Sequence, residues 1–146
     1  MEYAKLGKSG IEVSRLCVGC MSFGRPSEDF HEWTLNPNET EEIVKKALDL
    51  GINFFDTANT YSHGTSEEYL GRALKKNIAR NKVVIGTKVY FNEGHLSKEA
   101  VRREIDGSLK RLGTDYVDLY IIHRFDYTTP IEETMEALHG LVKAGK

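Results

Sequence analysis

Four side chains of different chemistry stand at or just beyond the ends of consecutive strands of this chain, Asp56 and Tyr61 after one, Lys88 and His123 after the next two. Asp56 closes the apolar run Asn53-Phe54-Phe55, and Tyr61 follows five residues later. Lys88 closes the run that starts at Val83-Val84-Ile85, and His123 closes the apolar run over 117–122. Singly, each has an ordinary role: an Asp caps turns, a Lys is solvated, a His packs or faces water. Jointly, at equivalent places in successive units, they form a proton-transfer set. A phenol, with a pKa of about 10, is a poor acid or base at neutral pH, and an ammonium near its oxygen favours the phenolate. Lys88 is placed to supply that ammonium, Asp56 to hold it, and His123 to donate a hydrogen bond to a substrate oxygen. Such a set polarises a carbonyl and delivers a proton to it. None of the four can supply a hydride, so a nicotinamide cofactor is implied.

The elements that must carry these residues are legible in turn. Two short strands about Gly7-Lys8-Ser9-Gly10 predict a hairpin over 3–13. Leu16-Cys17-Val18-Gly19 reads as the next strand, and 21–38 as a long loop carrying Phe23, Phe30, His31 and Trp33, of a length that is usually functional. Asn38, with Glu41 three residues on, reads as the cap of a helix whose apolar face is Ile43, Val44, Ala47 and Leu48. Ser66 is the expected cap of a second helix, with Glu67 and Glu68 in its first turn and Tyr69, Leu70, Ala73 and Leu74 on its apolar face. Ser97 caps a third, facing inward with Val101, Ile105, Leu109 and Leu112 and ending at Gly113. Thr129-Pro130-Ile131-Glu132 starts a fourth, expected to bury Ile131, Met135, Leu138 and Val142 and to end at Gly145.

The strand ends at Gly19, Asp56, Lys88 and His123 lie 37, 32 and 35 residues apart, the length of one βα unit. Four such units predict an α/β fold with a parallel sheet and right-handed crossovers, either doubly wound or part of a βα barrel. In both, chemistry gathers at the carboxyl ends of the strands. The helices ending at Gly51 and Gly113 run promptly into strands, whereas only Lys146 follows Gly145. Half of an eight-stranded barrel would need a further strand there; an open four-stranded sheet would not. One domain is expected, 1–146, with the hairpin at 3–13 and four βα units over 15–145.

Composition narrows the partners. The 146 residues are 40% apolar and 29% charged, with a formal net charge of −2, so there is no excess of positive charge for nucleic acid or an anionic membrane. There is no apolar run of signal-peptide or membrane-spanning length, and the cytoplasm is the expected location. Cys17-Val-Gly-Cys20 lacks a second pair at ligand spacing and reads as strand packing rather than a metal or redox motif. His63, His95 and His123 raise a metal hydrolase, but no His-x-His pair closes the first strand; no metal site is expected.

The segments Gly51-Ile-Asn-Phe-Phe-Asp-Thr-Ala58, Tyr61, Gly86-Thr-Lys88-Val and Tyr120-Ile-Ile-His123-Arg together resemble the aldo-keto reductase family, and Gly19-Cys-Met-Ser-Phe-Gly24 resembles the first loop of its bacterial oxidoreductase-like members. The resemblance implies a (β/α)8 barrel, of which this chain holds the hairpin and the first four units, and NADPH-dependent reduction of aldehydes or ketones. It implies Tyr61 as general acid, Lys88 and Asp56 as the pair that tunes it, and His123 as the group that orients the carbonyl. Gly19, Cys20, Met21 and Asp56 would border the nicotinamide. By their place in the loops, Trp33, Phe30 and His31 in the first and Arg124, Phe125 and Tyr127 after the fourth strand are expected to line the pocket of a small aromatic or apolar carbonyl substrate. The family binds NADP(H) without a Rossmann fingerprint, and no G-x-G-x-x-G follows any strand here. Members are roughly twice as long, and most of their cofactor grip lies after strands five to eight. NADP(H) binding is therefore expected to be weak or absent in this chain alone, and its isolated activity negligible. Two bare sheet edges predict self-association, or a complementary carboxy-terminal half in trans. The alternative function is a non-catalytic half-barrel module for assembly or regulation.

Overall fold

A computed structural model describes every residue from Met1 to Lys146. The first element is the expected hairpin, β1 (Tyr3–Lys5) antiparallel to β2 (Glu12–Ser14), with Tyr3 opposite Ser14. It is fastened to the amino-terminal end of the later strands. The Tyr3 hydroxyl donates to the Gly51 carbonyl at 2.7 Å, and Asn53 accepts from Ser14 N at 2.7 Å and donates to the Glu12 carbonyl at 3.1 Å. Asn53 begins the strand that Asp56 ends, so the hairpin closes the floor and leaves the chemical rim open.

Four βα units follow. They are β3 (Val18–Gly19) and α1 (Pro37–Asp49), β4 (Phe54–Asp56) and α2 (Thr65–Asn77), β5 (Val84–Val89) and α3 (Lys98–Leu112), β6 (Leu119–Ile122) and α4 (Ile131–Lys143). The sheet order is β3-β4-β5-β6 and every pairing is parallel. Spatial order thus equals chain order, as in a βα barrel; a doubly wound sheet reverses order at a switch point. In register, Gly19 lies opposite Asp56, and Asp56 opposite Gly86. The helices pack successively, α1 on α2, α2 on α3 and α3 on α4.

The core lies between sheet and helices. Phe55 and Ile85 from the strands meet Val44, Leu70, Val101 and Ile105 from the helices, all 2% exposed or less. At Gly71 the packing of α2 on α3 reaches the backbone: a Cβ there would stand 2.3 Å from the Leu112 carbonyl oxygen. The α3 face is as expected, with Val101, Ile105, Leu109 and Leu112 all buried.

Several local expectations are corrected. The cap of α1 is Asn36, not Asn38: Asn36-Pro37-Asn38-Glu39 carries the same Asn-x-x-Glu pattern two residues earlier, with Pro37 at the first helical position and both arms of the capping box formed. Ser66 does not cap α2. That helix begins at Thr65 behind a left-handed Gly64, and the Ser66 hydroxyl turns inward to the Cys20 carbonyl at 2.6 Å. Thr129 does not cap α4, because its hydroxyl donates to the Asp126 carboxylate at 2.7 Å, a charged acceptor that outcompetes the helix end.

The inward face of α4 is Thr134, Ala137 and Leu141, with Leu138 half-buried, while Ile131, Met135 and Val142 are 42%, 55% and 77% exposed. Small residues let α4 approach its neighbours, and the larger apolar stripe turns away from them. The first strand is shorter than expected. Cys17 is exposed before it and Cys20 buried in a 3-10 turn after it (Cys20–Ser22), so the two free thiols do not share a strand. The long loop is closed at its neck, where Leu35 N donates to the Ser22 carbonyl at 2.7 Å beside a fully buried Phe23. No helix is long and apolar enough to cross a membrane.

Candidate active site

Backbone pairing continues past β4 and sets the approach to Tyr61. Thr57 N donates to the Gly86 carbonyl at 2.9 Å and Asn59 N to the Lys88 carbonyl at 3.2 Å, which hold the 57–59 segment along β5. The Thr57 hydroxyl lies 3.0 Å from the Ser66 hydroxyl, pinning the start of α2 beneath the same segment. Tyr61 then opens a 3-10 turn (Tyr61–Gly64) that runs into α2.

Lys88, near the end of β5, meets this segment from the neighbouring strand. Its ammonium donates to Asp56 Oδ2 at 2.7 Å, to the Thr57 carbonyl at 2.8 Å and to the Tyr61 hydroxyl at 3.3 Å. An ammonium has three protons, and all three are engaged, so its position is determined by β4 and by Tyr61 together. The side chain of Lys88 is 13% exposed and that of Asp56 31%, which leaves the pair incompletely screened by water.

His123 stands just beyond β6 and completes the set. Its ring meets Tyr61 edge-on, with centroids 5.7 Å apart at 82°, and Phe91 also packs edge-on against it at 5.0 Å and 78°. Its Nδ1 is buried without a hydrogen-bond partner in the protein. Burial pushes the imidazole pKa below its ordinary value, and the Lys88 ammonium adds to the effect while the Asp56 carboxylate opposes it. His123 is therefore neutral at neutral pH, with one N–H to offer.

A cavity of about 290 Å³ opens over these groups, lined by Met21, Phe30, His31, Thr60, Tyr61, Phe91 and His123. A larger groove, about 730 Å³, lies on the outer side between α2 and α3 among Arg72, Lys75 and Lys110, and it contains none of the four chemical residues. The cavity that matters is the smaller one, because that is where the polar groups converge.

Asp56, Tyr61, Lys88 and His123 are thus brought together, and Met21, Phe30 and His31 stand at the cavity wall. Gly19 sits at the rim opposite Asp56, exposed, with nothing within 4 Å of where a Cβ would stand. The remaining sequence candidates lie elsewhere. Cys20 is fully buried in the core, its thiol against the Val18 carbonyl and its own carbonyl taken by Ser66, so it cannot face a ligand. Trp33 is more than half exposed, stacked on His31 at 4.3 Å outside the cavity lining. The Arg124 guanidinium lies over the Phe91 ring at 5.1 Å, and Phe125 packs on Tyr127 at 4.9 Å; neither lines the cavity. Phe91 and Thr60 were not singled out, although both stand in loops beyond strand ends, which is the signal that could have found them.

The model of the Aldo/keto reductase family matches residues 15–146, nearly the whole chain. The chain belongs to the aldo/keto reductase family. Among its relatives, the versiconal hemiacetal acetate reductase of Aspergillus parasiticus is 44% identical over 170 residues, covering 100% of this chain and 49% of that protein. An aldo-keto reductase of Alternaria alternata is 40% identical over 174 residues, covering 99% of this chain and 47% of its own length. A solved thermostable aldo-keto reductase, in complex with the inhibitor epalrestat, superposes with a TM-score of 0.86 at 35% identity, covering 99% of this chain and 51% of that one. The chain spans about half the length of the curated relatives it matches, and its parallel βα units with their amino-terminal hairpin correspond to half of an aldo-keto reductase barrel.

Proposed function

We propose that this chain carries the proton-transfer half of an NADPH-dependent carbonyl reductase, a site that reduces a small aldehyde or ketone to its alcohol. The observation that carries this is the Lys88 ammonium, bonded at once to Asp56, to the Thr57 carbonyl and to the Tyr61 hydroxyl at 3.3 Å. A carbonyl substrate enters the cavity with its oxygen toward Tyr61 and His123. His123, neutral because burial depresses its pKa, donates an N–H to that oxygen and orients it. Tyr61 passes its hydroxyl proton to the oxygen as negative charge develops there. The charge left on the phenol oxygen is stabilised by Lys88, which Asp56 keeps from drifting away. The aromatic lining of Phe30, Phe91 and His31 suits an aromatic or apolar carbonyl.

When bound, NADPH supplies the hydride. Gly19, open above the rim, and Met21 on the cavity wall fit the nicotinamide end of that cofactor. No lysine or arginine lines the cavity, so the phosphates must be gripped by residues outside it. Cofactor binding by this chain alone is accordingly weak, and efficient turnover calls for a carboxy-terminal half or a second copy. Reductase chemistry in the Aspergillus parasiticus relative supports the same assignment. Two free thiols fit the cytoplasm.

The test is NADPH oxidation with an aromatic aldehyde, by the chain alone and by the chain mixed with the separately produced carboxy-terminal half of a close relative. The mixture is expected to turn over and the chain alone to show almost nothing. Tyr61→Phe is expected to lower the mixture's kcat by about 10²–10⁴-fold, the range of a lost general acid. An inactive mixture, or Tyr61→Phe at the parental rate, overturns the proposal.

A further inference from the structure

The segment that presents Tyr61 is strained. Ser62, His63 and Gly64 follow one another in the left-handed region, at φ of 46°, 54° and 90°, and the first two carry side chains that disfavour it. Such a turn persists where its surroundings over-determine it. From the long loop, Gly24 presses on Ser62, for a Cβ on Gly24 would lie 2.5 Å from the Ser62 Cβ. From α3, Arg111 lies against Gly64, where a Cβ would come within 2.7 Å of its Cδ.

Arg111 is itself held. Its Nε donates to Glu67 Oε2 at 2.6 Å, and Glu67 Oε1 accepts the Thr87 hydroxyl at 2.5 Å. The Glu67 side chain is 0% exposed. A buried carboxylate paired to a guanidinium is a poor device for stability, because desolvation offsets the attraction. Its placement is more telling. Glu67 follows Tyr61 by one short turn, and Thr87 immediately precedes Lys88 on β5. One carboxylate thus links the turn that carries the phenol to the strand that carries the ammonium, and through Arg111 it braces that turn from behind.

We propose that Glu67 is a positioning residue which, through Thr87 and Arg111, clamps the 62–64 turn against β5 and so sets the Tyr61 hydroxyl at its distance from Lys88. The catalytic consequence rests on Tyr61 being the proton donor; the geometric one does not. Glu67, Thr87 and Arg111 stand apart from the cavity lining, so their effect on the reaction is through the placement of Tyr61.

The test uses the full chain with labelled aromatic rings. The nuclear Overhauser contact between the Tyr61 and His123 rings is compared in the parent and in Glu67→Gln, Thr87→Val and Thr87→Ser, and kcat and KM are measured for each in the mixture described above. Thr87→Ser, which keeps the hydroxyl, is expected to match the parent. Thr87→Val and Glu67→Gln are expected to weaken the ring contact several-fold and to lower kcat at least tenfold with KM within twofold. If Glu67→Gln does not fold, Thr87→Val carries the test, since it removes a single hydroxyl. An unchanged ring contact and kcat in folded Thr87→Val overturns the clamp, even where turnover depends on Tyr61. Loss of the contact in a mixture that never turns over leaves the clamp standing and overturns the carbonyl-reductase assignment instead.

Discussion

At the scale of single residues, the site depends on a division of protonation states. Lys88 is tied to an acid, a carbonyl and a phenol, and His123 beside it is kept neutral by burial. The sign of the resulting pH dependence follows. His123 has a folded pKa below its unfolded value of about 6.5, so the unfolded chain binds the proton more readily. Its contribution to stability is intact above about pH 6.5 and is lost as the pH falls through the lower folded value. The expected outcome is a His123 ring resonance that titrates lower in the folded chain than in the urea-unfolded chain, and a melting temperature that drops between pH 7 and pH 5 by less in His123→Gln than in the parent. A folded His123 that titrates at or above its value in the unfolded chain would contradict the burial account. Phe91, which supports the ring, stands two residues beyond β5, a place the sequence shows, whereas the turn of its ring toward His123 is set by the fold.

At the scale of elements, three successive βα units deliver the four chemical side chains, Asp56 and Tyr61 from the β4 unit, Lys88 from β5 and His123 after β6, and the helix starts decide how firmly. The start of α1 is a full capping box at Asn36 and Glu39, whereas Asn38 lies inside the helix and uses its backbone N–H to reach Asn36 Oδ1 at 2.9 Å. Asn36→Ala is therefore expected to lower stability by about 1 kcal/mol, and Asn38→Ala by a few tenths at most; urea unfolding midpoints of the two variants check this. Equal effects would return the cap to Asn38. The two placements share a residue pattern and differ in Pro37, whose fixed φ suits the first helical position. In α2 the expected cap, Ser66, is drawn inward to the Cys20 carbonyl, because a hydroxyl within reach of a buried acceptor is worth more there than at a helix end already turned by Gly64.

At the scale of the whole molecule, the sheet has two unpaired edges, β3 and β6, and the outermost helices carry apolar residues on their free sides. These are Ile43 and Leu50 on or beside α1, and Ile131, Met135 and Val142 on α4, all more than 40% exposed. Every internal helix pair packs against a neighbour, so the free sides of α1 and α4 are where another α-helix would continue the series. Light scattering at increasing concentration is expected to show the chain associating, and Met135→Lys with Val142→Lys to shift it toward monomer without changing its circular dichroism. A monomer at all concentrations, in parent and variant alike, would contradict this.

What the sequence by itself determined are the features with local causes. Strand ends at Asp56, Lys88 and His123, the repeat of one βα unit and the inward face of α3 follow from side-chain period and from glycine at helix ends, which neighbouring residues settle among themselves. The tertiary structure alone decided the rest. The burial of Cys20, the outward turn of Met135 and Val142, and the departure of Trp33, Arg124 and Phe125 from the cavity depend on which surfaces meet. So does the pairing of Glu67 with an arginine 44 residues away. In the sequence Glu67 is one more acid in the first turn of a helix; folding makes it a buried carboxylate, because only the packing of α2 between β5 and α3 brings its two partners within reach.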